Sequence, residues 1–175
     1  VEVPRLPGTW GTSRPYDGLT SDNHGIVDPL IFADPAPIPL RGSFNPAISI
    51  VNGWKVASDG SSIIFDVRKG VDFHHGHGQV TAEDIAWSMN DALAEGNTNG
   101  RSGFVGEWMG EWEAIDSHTV KMNVIDGATL SPVWLLELSN TWRSTLTVTS
   151  KSFNLDNPEE AEKLKVGTGP FYLVD

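Results

Sequence analysis

The sequence predicts an α+β protein, in which a mostly antiparallel sheet of hairpins packs against helices. Two observations carry this prediction. Residues 54–67 and 112–124 each alternate apolar and polar side chains around a turn, which is typical of half-buried hairpins. A capped helix with one apolar stripe separates them. Because hairpins require antiparallel pairing, this order disfavours a doubly wound parallel sheet.

The N-terminal residues 1–27 are expected to form an irregular arm that lies on the core. Prolines interrupt any regular pattern over residues 1–46, at Pro4, Pro7, Pro15, Pro29, Pro35, Pro37, Pro39 and Pro46. A short apolar stretch, Ile26 to Phe32, is expected to be a helical turn or an edge strand. The predicted domain, residues 28–175, follows this arm.

The first predicted hairpin turns at Asp59-Gly60, with Ile63, Phe65 and Val67 on one face of its second strand. The helix that follows is expected to begin after Thr81, because a threonine there caps the first free N–H groups. Asp84, three residues on, completes a weak capping box. The apolar stripe of this helix consists of Ile85, Met89, Ala92 and Leu93, and Gly96 is expected to end it.

The second predicted hairpin turns at Asp116-Ser117. Ser131-Pro132 and Asn157-Pro158 are each expected to open a short helix, since a capping side chain followed by proline is a helix-start signal. Residues 146–148 are expected to form a strand. A tight turn at 167–170 leads into a last strand from Phe171 to Val174.

Composition excludes several functions. The formal net charge is −11, so polyanions are repelled and nucleic acid is not an expected partner. The chain has no cysteine, which excludes thiolate catalysis and cysteine-based zinc sites. No apolar run is long enough to span a bilayer. No phosphate-binding glycine loop is present, and no cofactor is predicted.

Three stretches resemble the bacterial solute-binding family that delivers peptides and nickel chelates to ABC importers. The first stretch is 52–90, which matches the family pattern in both order and spacing. The matching residues are Trp54, Asp59-Gly60, Phe65, Arg68, Gly70-Val71, Phe73-His74, Gly76 and Thr81-Ala82-Glu83-Asp84. The second, residues 166–171 (VGTGPF), resembles the family's Gly-Thr-Gly-Pro turn. The third, weaker one is 116–124. His75 departs from the pattern, because the family usually has aspartate there.

The resemblance implies that residues 28–175 are the smaller subdomain of the N-terminal lobe of a type II periplasmic binding protein, without the second lobe. It implies a solute-binding component of an ABC transporter that captures peptides or similar small solutes and has no catalysis of its own. ABC permease subunits are the implied protein partners, and a monomer is expected. The implied location is periplasmic or extracellular, with a membrane anchor ahead of residue 1 left open.

Two residues are candidate ligand contacts. Arg143 matches a position where nickel-chelate-binding members resembling this chain carry a cleft arginine, and a guanidinium holds a carboxylate with two hydrogen bonds. A surface arginine paired with an acid is an equally weighted alternative. Trp142, in the same predicted loop, is the tryptophan best placed for ligand contact.

Two other functions remain alternatives. His74, His75 and His77 suggest a metal-dependent hydrolase, although their spacing is not that of a helical zinc motif and a polar structural turn is the favoured interpretation. Seven tryptophans suggest a carbohydrate-binding module, although Trp54 and Trp134 are expected to be core residues. Glu107, Glu111 and Glu113 are expected to form a solvated acidic face rather than a catalytic pair.

Overall fold

A computed structural model gives the structure of the chain and describes residues 2–4, 25–32, 44–95, 102–132, 134–139, 146–161 and 164–174. Trp142, Arg143 and Gly96 lie outside these ranges. Within them, four antiparallel strands form the main sheet: β2 (Val51–Val56), β3 (Ser62–Val67), β4 (Met109–Asp116) and β5 (Thr119–Val124). Their order in the sheet is β2-β3-β5-β4. The two predicted hairpins are therefore confirmed, and their second strands lie side by side at its centre.

Local sequence explains each hairpin. At the β2–β3 turn, Gly60 has a φ of +73°, which glycine adopts without steric cost, and the Asp59 carboxylate accepts a hydrogen bond from the Ser61 backbone N–H at 3.0 Å. At the β4–β5 turn, the Asp116 carboxylate accepts from the His118 N–H at 2.8 Å. In both turns, an aspartate satisfies a backbone donor where the ladder is interrupted.

Helix α1 (Ala82–Leu93) packs across β4 and β5. Thr81 caps it as predicted, and the capping box is complete, because the Asp84 carboxylate accepts from the Thr81 backbone N–H at 2.9 Å. Its predicted stripe is confirmed: Ile85, Met89 and Ala92 are fully buried, and Leu93 packs against the same core while partly exposed. They cover the inner face of the sheet, to which β3 contributes Ile63, Phe65 and Val67 and β5 contributes Val120 and Met122.

The remaining helices are short: α2 (Ser102–Val105), α3 (Trp134–Glu137), α4 (Lys151–Asp156) and α5 (Pro158–Ala161). The helix start predicted at Asn157-Pro158 is confirmed, and the short helix predicted after Ser131-Pro132 begins at Trp134, two residues later than expected. Helix α4 was not predicted, and it begins where the Ser150 hydroxyl accepts from the Phe153 N–H.

The sequence prediction differs from the structure at two further places. Residues 146–148 form an isolated bridge from Thr147 to Pro29 rather than a strand, because proline has no N–H with which to extend a ladder. Residues Glu2–Pro4, expected to be irregular, form strand β1, which pairs in parallel with β6 (Tyr172–Val174).

Residues 25–32, called the strap below, form a buried segment with a turn, several bends and two isolated bridges. Its backbone makes hydrogen bonds to three distant parts of the chain. The Ile26 carbonyl accepts from the Gly169 N–H, the Asp28 carbonyl from the Val148 N–H, and the Ile31 N–H donates to the Leu138 carbonyl. Ile26, Val27, Leu30 and Ile31 are at most 2% exposed. The expected helical turn or edge strand is therefore a buried connecting segment.

The helices within the described ranges are all too short or too polar to cross a membrane.

Candidate functional site

The first and second stretches that carried the family resemblance meet in space. A single 3-10 turn, His74–Gly76, follows the first hairpin, and it contacts the bend formed by Gly167–Pro170. The His74 backbone N–H donates to the Gly167 carbonyl at 2.9 Å, and His74 Nε2 lies 2.7 Å from the Gly169 carbonyl oxygen. The histidine therefore joins segments that are 95 residues apart.

The neutral form of His74 suits this position. Because Nε2 faces a carbonyl oxygen, it carries the proton, and Nδ1 is then the unprotonated nitrogen. Nδ1 is buried and has no hydrogen-bond partner. The pKa of His74 lies below its ordinary value of 6.5, mainly because the side chain is buried. The hydrogen bond to Gly169 raises this pKa, and the positive charge of the neighbouring His75 lowers it. The side chain thus acts as a neutral donor that orients the bend.

The three histidines do not converge on one point. The rings of His74 and His75 have centroids 6.3 Å apart, and the His77 ring packs on Phe153 at 4.7 Å. Across the ranges that the structure describes, no group of three or more His, Asp or Glu side chains is placed to hold a metal ion. His75 has a φ of 56°, a left-handed conformation that aspartate and histidine tolerate better than most residues. The histidine turn therefore has a structural role.

Most of the tryptophans within those ranges belong to the core. Phe44, Trp54, Trp134, Phe65 and Trp112 form a continuous row of ring contacts, with centroids between 4.7 and 6.2 Å apart. Trp108 and Trp112 are 5% and 2% exposed. The expectation that Trp54 and Trp134 are packing residues is confirmed. Such rings stabilise a core and do not provide an exposed stacking platform.

The carboxylates Glu107, Glu111 and Glu113 are all exposed on or beside β4. Glu113 contacts the Asn123 amide on the neighbouring strand β5. None of the three is buried in a cleft, as a general acid and its partner require. The expected solvated face is confirmed.

The candidate ligand residues Trp142 and Arg143 lie outside the described residues, but the chain on both sides of them is fixed. On one side, Ser139 forms a bridge with Ile31, and on the other, Thr147 forms a bridge with Pro29. Sequence reasoning missed the strap, because its apolar residues follow neither a helical nor a strand period and its partners are remote in the chain.

Gly167 and Gly169 explain how the bend fits against the strap. A side chain at Gly167 would meet the Ile26 carbonyl and Val27, and one at Gly169 would meet the Gly25 carbonyl. The Thr168 hydroxyl, between them, donates to the Asp28 carboxylate at 2.9 Å. Glycine is therefore needed on either side of the threonine for backbone to lie against backbone.

A family model described as bacterial extracellular solute-binding proteins, family 5 Middle, matches residues 46–175. The family is one of solute-binding proteins rather than enzymes, and neither a hydrolase nor a carbohydrate-binding module is supported. Comparison with curated proteins gave no match.

Solved structures with the same fold include NikA from Brucella suis in complex with Fe(III)-EDTA, at 18% identity and a TM-score of 0.72, covering 100% of this chain and 33% of that one. A dipeptide-binding protein from Pseudoalteromonas sp. SM9913 in complex with Met-Leu has 20% identity and a TM-score of 0.71, covering 97% and 36%. MoaA from A. tumefaciens R10 in complex with mannopinic acid has 21% identity and a TM-score of 0.70, covering 97% and 34%.

The chain spans about a third of the length of each of these proteins. The predicted fold class is confirmed, because the α+β fold is that of part of a type II periplasmic-binding-protein lobe. The family model covers most of the chain, including the hairpin, the capped helix and the glycine-proline bend. The chain therefore belongs to family 5 of the bacterial extracellular solute-binding proteins.

Proposed function

We propose that this chain is part of the solute-binding component of an ABC importer, and that peptides or similar small solutes are captured for import. The observation that carries the proposal is the family match over residues 46–175. Structures with this fold include proteins in complex with Met-Leu, with the peptide STSA and with Ni(L-His). Peptides are the first candidate class, and nickel chelates and sugar-derived acids follow.

In this proposal, residues 28–175 form the smaller subdomain of the N-terminal lobe, and residues 1–27 form an arm on it. The second lobe belongs to the rest of a longer protein. Solute shifts the equilibrium between an open and a closed arrangement of two lobes, and permease subunits recognise the closed form. We propose that the full-length protein is a monomer in the periplasm or outside the cell. A membrane anchor ahead of residue 1 is compatible with this proposal.

Arg143 and Trp142 are the proposed solute contacts of this lobe. An arginine guanidinium binds a carboxylate, such as a peptide C-terminus or a chelate, through two parallel hydrogen bonds. A tryptophan beside it supplies flat apolar area for the rest of the solute. Both lie in sequence between Ser139 and Thr147, two described residues that each form a bridge with the strap.

A thermal-shift screen of the full-length protein tests the function. The panel consists of Met-Leu, a tetrapeptide, nickel with histidine, and mannopinic acid. A ligand present at a hundred times its Kd stabilises the folded state by about 2.7 kcal/mol, which raises Tm by several degrees. We expect one class to do so. If no member of a broad panel of peptides, chelates and small acids raises Tm, the proposal is wrong.

Arg143→Ala tests the proposed contact. Losing a charge-assisted bidentate pair is expected to weaken binding of a carboxylate-bearing solute by about 10- to 100-fold, measured by calorimetry. Lys69→Ala is the matched control, because Lys69 is an exposed cation in a turn of the same chain and its loss changes the net charge equally. Unchanged affinity in Arg143→Ala removes this arginine from the site.

A further inference from the structure

A groove lies between the start of α1 and helix α4. Its volume is about 360 Å³, which is comparable to the smaller ligand clefts of proteins. The residues that line it come from two parts of the chain: His77 and Glu83 from the end of the histidine turn and the start of α1, and Lys151, Leu155 and Asp156 from α4. Neither of the proposed solute contacts lines this groove, so its role is a separate question.

Part of the groove is apolar. The buried ring of Phe73 contributes to its lining, and so does Leu155, whose side chain is 57% exposed. The His77 ring is held beside them, because it packs on Phe153 at 4.7 Å. Aliphatic and aromatic surface of this kind accommodates the alkyl stem of a ligand whose head group is charged.

The charged part of the groove is acidic. Among the described residues that line it, Glu83, Asp84 and Asp156 carry carboxylates, against the single ammonium group of Lys151. Both oxygens of Asp84 already accept hydrogen bonds, from Thr81 and from the Lys151 backbone N–H. The Asp156 carboxylate has no hydrogen-bond or ion-pair partner among the described residues. The groove therefore offers free acceptors to a cation and repels an anion.

The side chain of Lys151 shows which kind of cation fits. Its ammonium nitrogen lies 3.0 Å from Glu83 Oε2, at the end of a flexible alkyl stem. The two side chains are 38% and 67% exposed, and an ion pair at that exposure is weak and readily exchanged. A metal ion is not the expected cation, because no three His, Asp or Glu side chains within the described ranges are placed to hold one.

We propose that this groove is a ligand site of its own, which binds an alkylammonium or alkylguanidinium group in competition with Lys151. The cationic head is held by the carboxylates of Glu83 and Asp156, and the alkyl stem lies along Leu155. Without ligand, Lys151 occupies Glu83 itself. The same head group is found in free amines and in the lysine and arginine side chains of proteins, and the proposal does not depend on the solute that the full-length protein carries.

Calorimetry with agmatine, at low ionic strength where exposed ion pairs are least screened, tests the site in the full-length protein. We expect saturable binding with a Kd of about 0.1–1 mM. A second titration uses the peptide acetyl-Gly-Lys-Gly-amide. Binding of the peptide as tight as that of agmatine would identify a protein side chain as the natural source of the group, and binding of agmatine alone would identify a free amine. If neither binds, the proposal is wrong.

Lys151→Ala gives a change of opposite sign to an ordinary loss of contact. It removes the internal competitor but keeps the backbone N–H that donates to Asp84, and we expect agmatine to bind about threefold or more tightly. Lys55→Ala is the matched control, because Lys55 is an exposed cation on β2 that does not line the groove. Equal tightening in both variants would reflect net charge alone and would overturn the proposal.

Glu83→Gln and Asp156→Asn remove the two carboxylates with little change in shape, and each is expected to weaken agmatine binding by about fivefold. Asp126→Asn removes an exposed carboxylate outside the groove and is expected to change the affinity by less than about twofold. Unchanged binding in both groove variants would place agmatine elsewhere on the protein, including the proposed solute cleft, and would contradict the assignment. The thermal-shift screen decides the solute-binding function separately, so the two proposals fail independently.

Discussion

Single residues at the junction between the histidine turn and the bend carry a large share of the fold's specificity. His74 supplies two donors to the bend, one from its backbone and one from its ring. Gly169 allows the bend to lie against Gly25, with the Gly169 N–H donating to the Ile26 carbonyl at 3.0 Å. This junction therefore requires a neutral imidazole ring at residue 74 and the absence of a side chain at residue 169.

The stability of the chain is expected to fall as pH decreases below about 6.5, with His74 as one cause. The pKa of His74 in the folded chain is lower than 6.5, so below that pH the unfolded chain binds a proton that the folded chain does not. The contribution is complete above 6.5 and is lost as pH falls towards the lower folded-state value. Chemical denaturation between pH 7.5 and 5.5 measures it.

The matching variant is His74→Gln, whose amide keeps a donor for the Gly169 carbonyl but does not titrate. It is expected to lose less stability over the same pH interval than the wild type. An equal loss in both proteins would assign the pH dependence to other groups.

Gly169→Ala is expected to destabilise the chain by about 3 kcal/mol or more, because the added methyl group overlaps the Gly25 backbone and neither segment has room to move. Thermal unfolding measures the loss. Gly53→Ala, in β2, is the control: a methyl group there meets no atom within 4 Å, and we expect a change of less than about 1 kcal/mol. A stable Gly169→Ala variant would contradict the close packing of bend and strap.

At the scale of elements, one carboxylate serves two helices. Asp84 Oδ2 accepts from the N–H and the hydroxyl of Thr81, which completes the cap of α1. Asp84 Oδ1 accepts from the Lys151 N–H at 2.9 Å, which is the first residue of α4. The side chain is 8% exposed. The start of α4 is therefore fixed by the capping group of α1.

Asp84→Ala is expected to cost about 2–4 kcal/mol, because three donors lose a buried charged acceptor. Glu83→Ala, one residue earlier, is the control. Glu83 forms an exposed ion pair with Lys151 at 3.0 Å, and its loss is expected to cost less than about 1 kcal/mol. Denaturant unfolding of the two variants compares them directly. Similar losses would show that the shared cap adds nothing beyond surface charge.

The elements that sequence predicted are those whose signals are local. The Asp59-Gly60 turn and the Thr81–Asp84 capping box each lie within four residues, and both hairpins and α1 are confirmed. The parallel pair β1–β6 was missed because its strands are three residues long and about 170 residues apart. Likewise, the strap has no periodicity of its own, and its backbone is held by hydrogen bonds to Leu138, Val148 and Gly169, which are remote in sequence.

Less of the candidate site than of the fold could be predicted from the sequence. The interpretation of the histidine turn as a polar turn with one orienting histidine agrees with the structure, because the His74 ring hydrogen-bonds the bend while the His77 ring packs on Phe153. Arg143 and Trp142 stay predictions that rest on resemblance. Sequence alone did not predict that the strap, more than 100 residues earlier in the chain, forms bridges with Ser139 and Thr147.

At the scale of the whole molecule, the proposed function gives this chain one wall of the cleft. A binding site that encloses a small solute buries most of the ligand surface, which a single wall does not achieve. The main sheet, α1 and the strap residues Leu30 and Ile31 nevertheless share one core, and Ile26 and Val27 belong to a second, smaller cluster. A chain of this size is therefore expected to fold without binding the solute tightly.

The isolated chain of 175 residues is expected to fold cooperatively, seen by circular dichroism, and to bind the solute of the full-length protein at least about 100-fold more weakly. Calorimetry with the same solute measures the difference. The full-length protein is the control for solute quality. Affinity of the fragment equal to that of the whole protein would contradict a two-walled cleft.

The long separation between Asp28 and Thr168 has a consequence for biosynthesis. At ribosomal speeds of about 5–20 residues per second, roughly 7 to 30 s pass between the emergence of the two residues. During that interval, Ile26, Val27, Leu30 and Ile31 are already made, but the bend that covers one end of their segment is not. The nascent chain therefore presents a short apolar stretch suited to a chaperone that keeps polypeptides unfolded until translation has passed the glycine-proline bend.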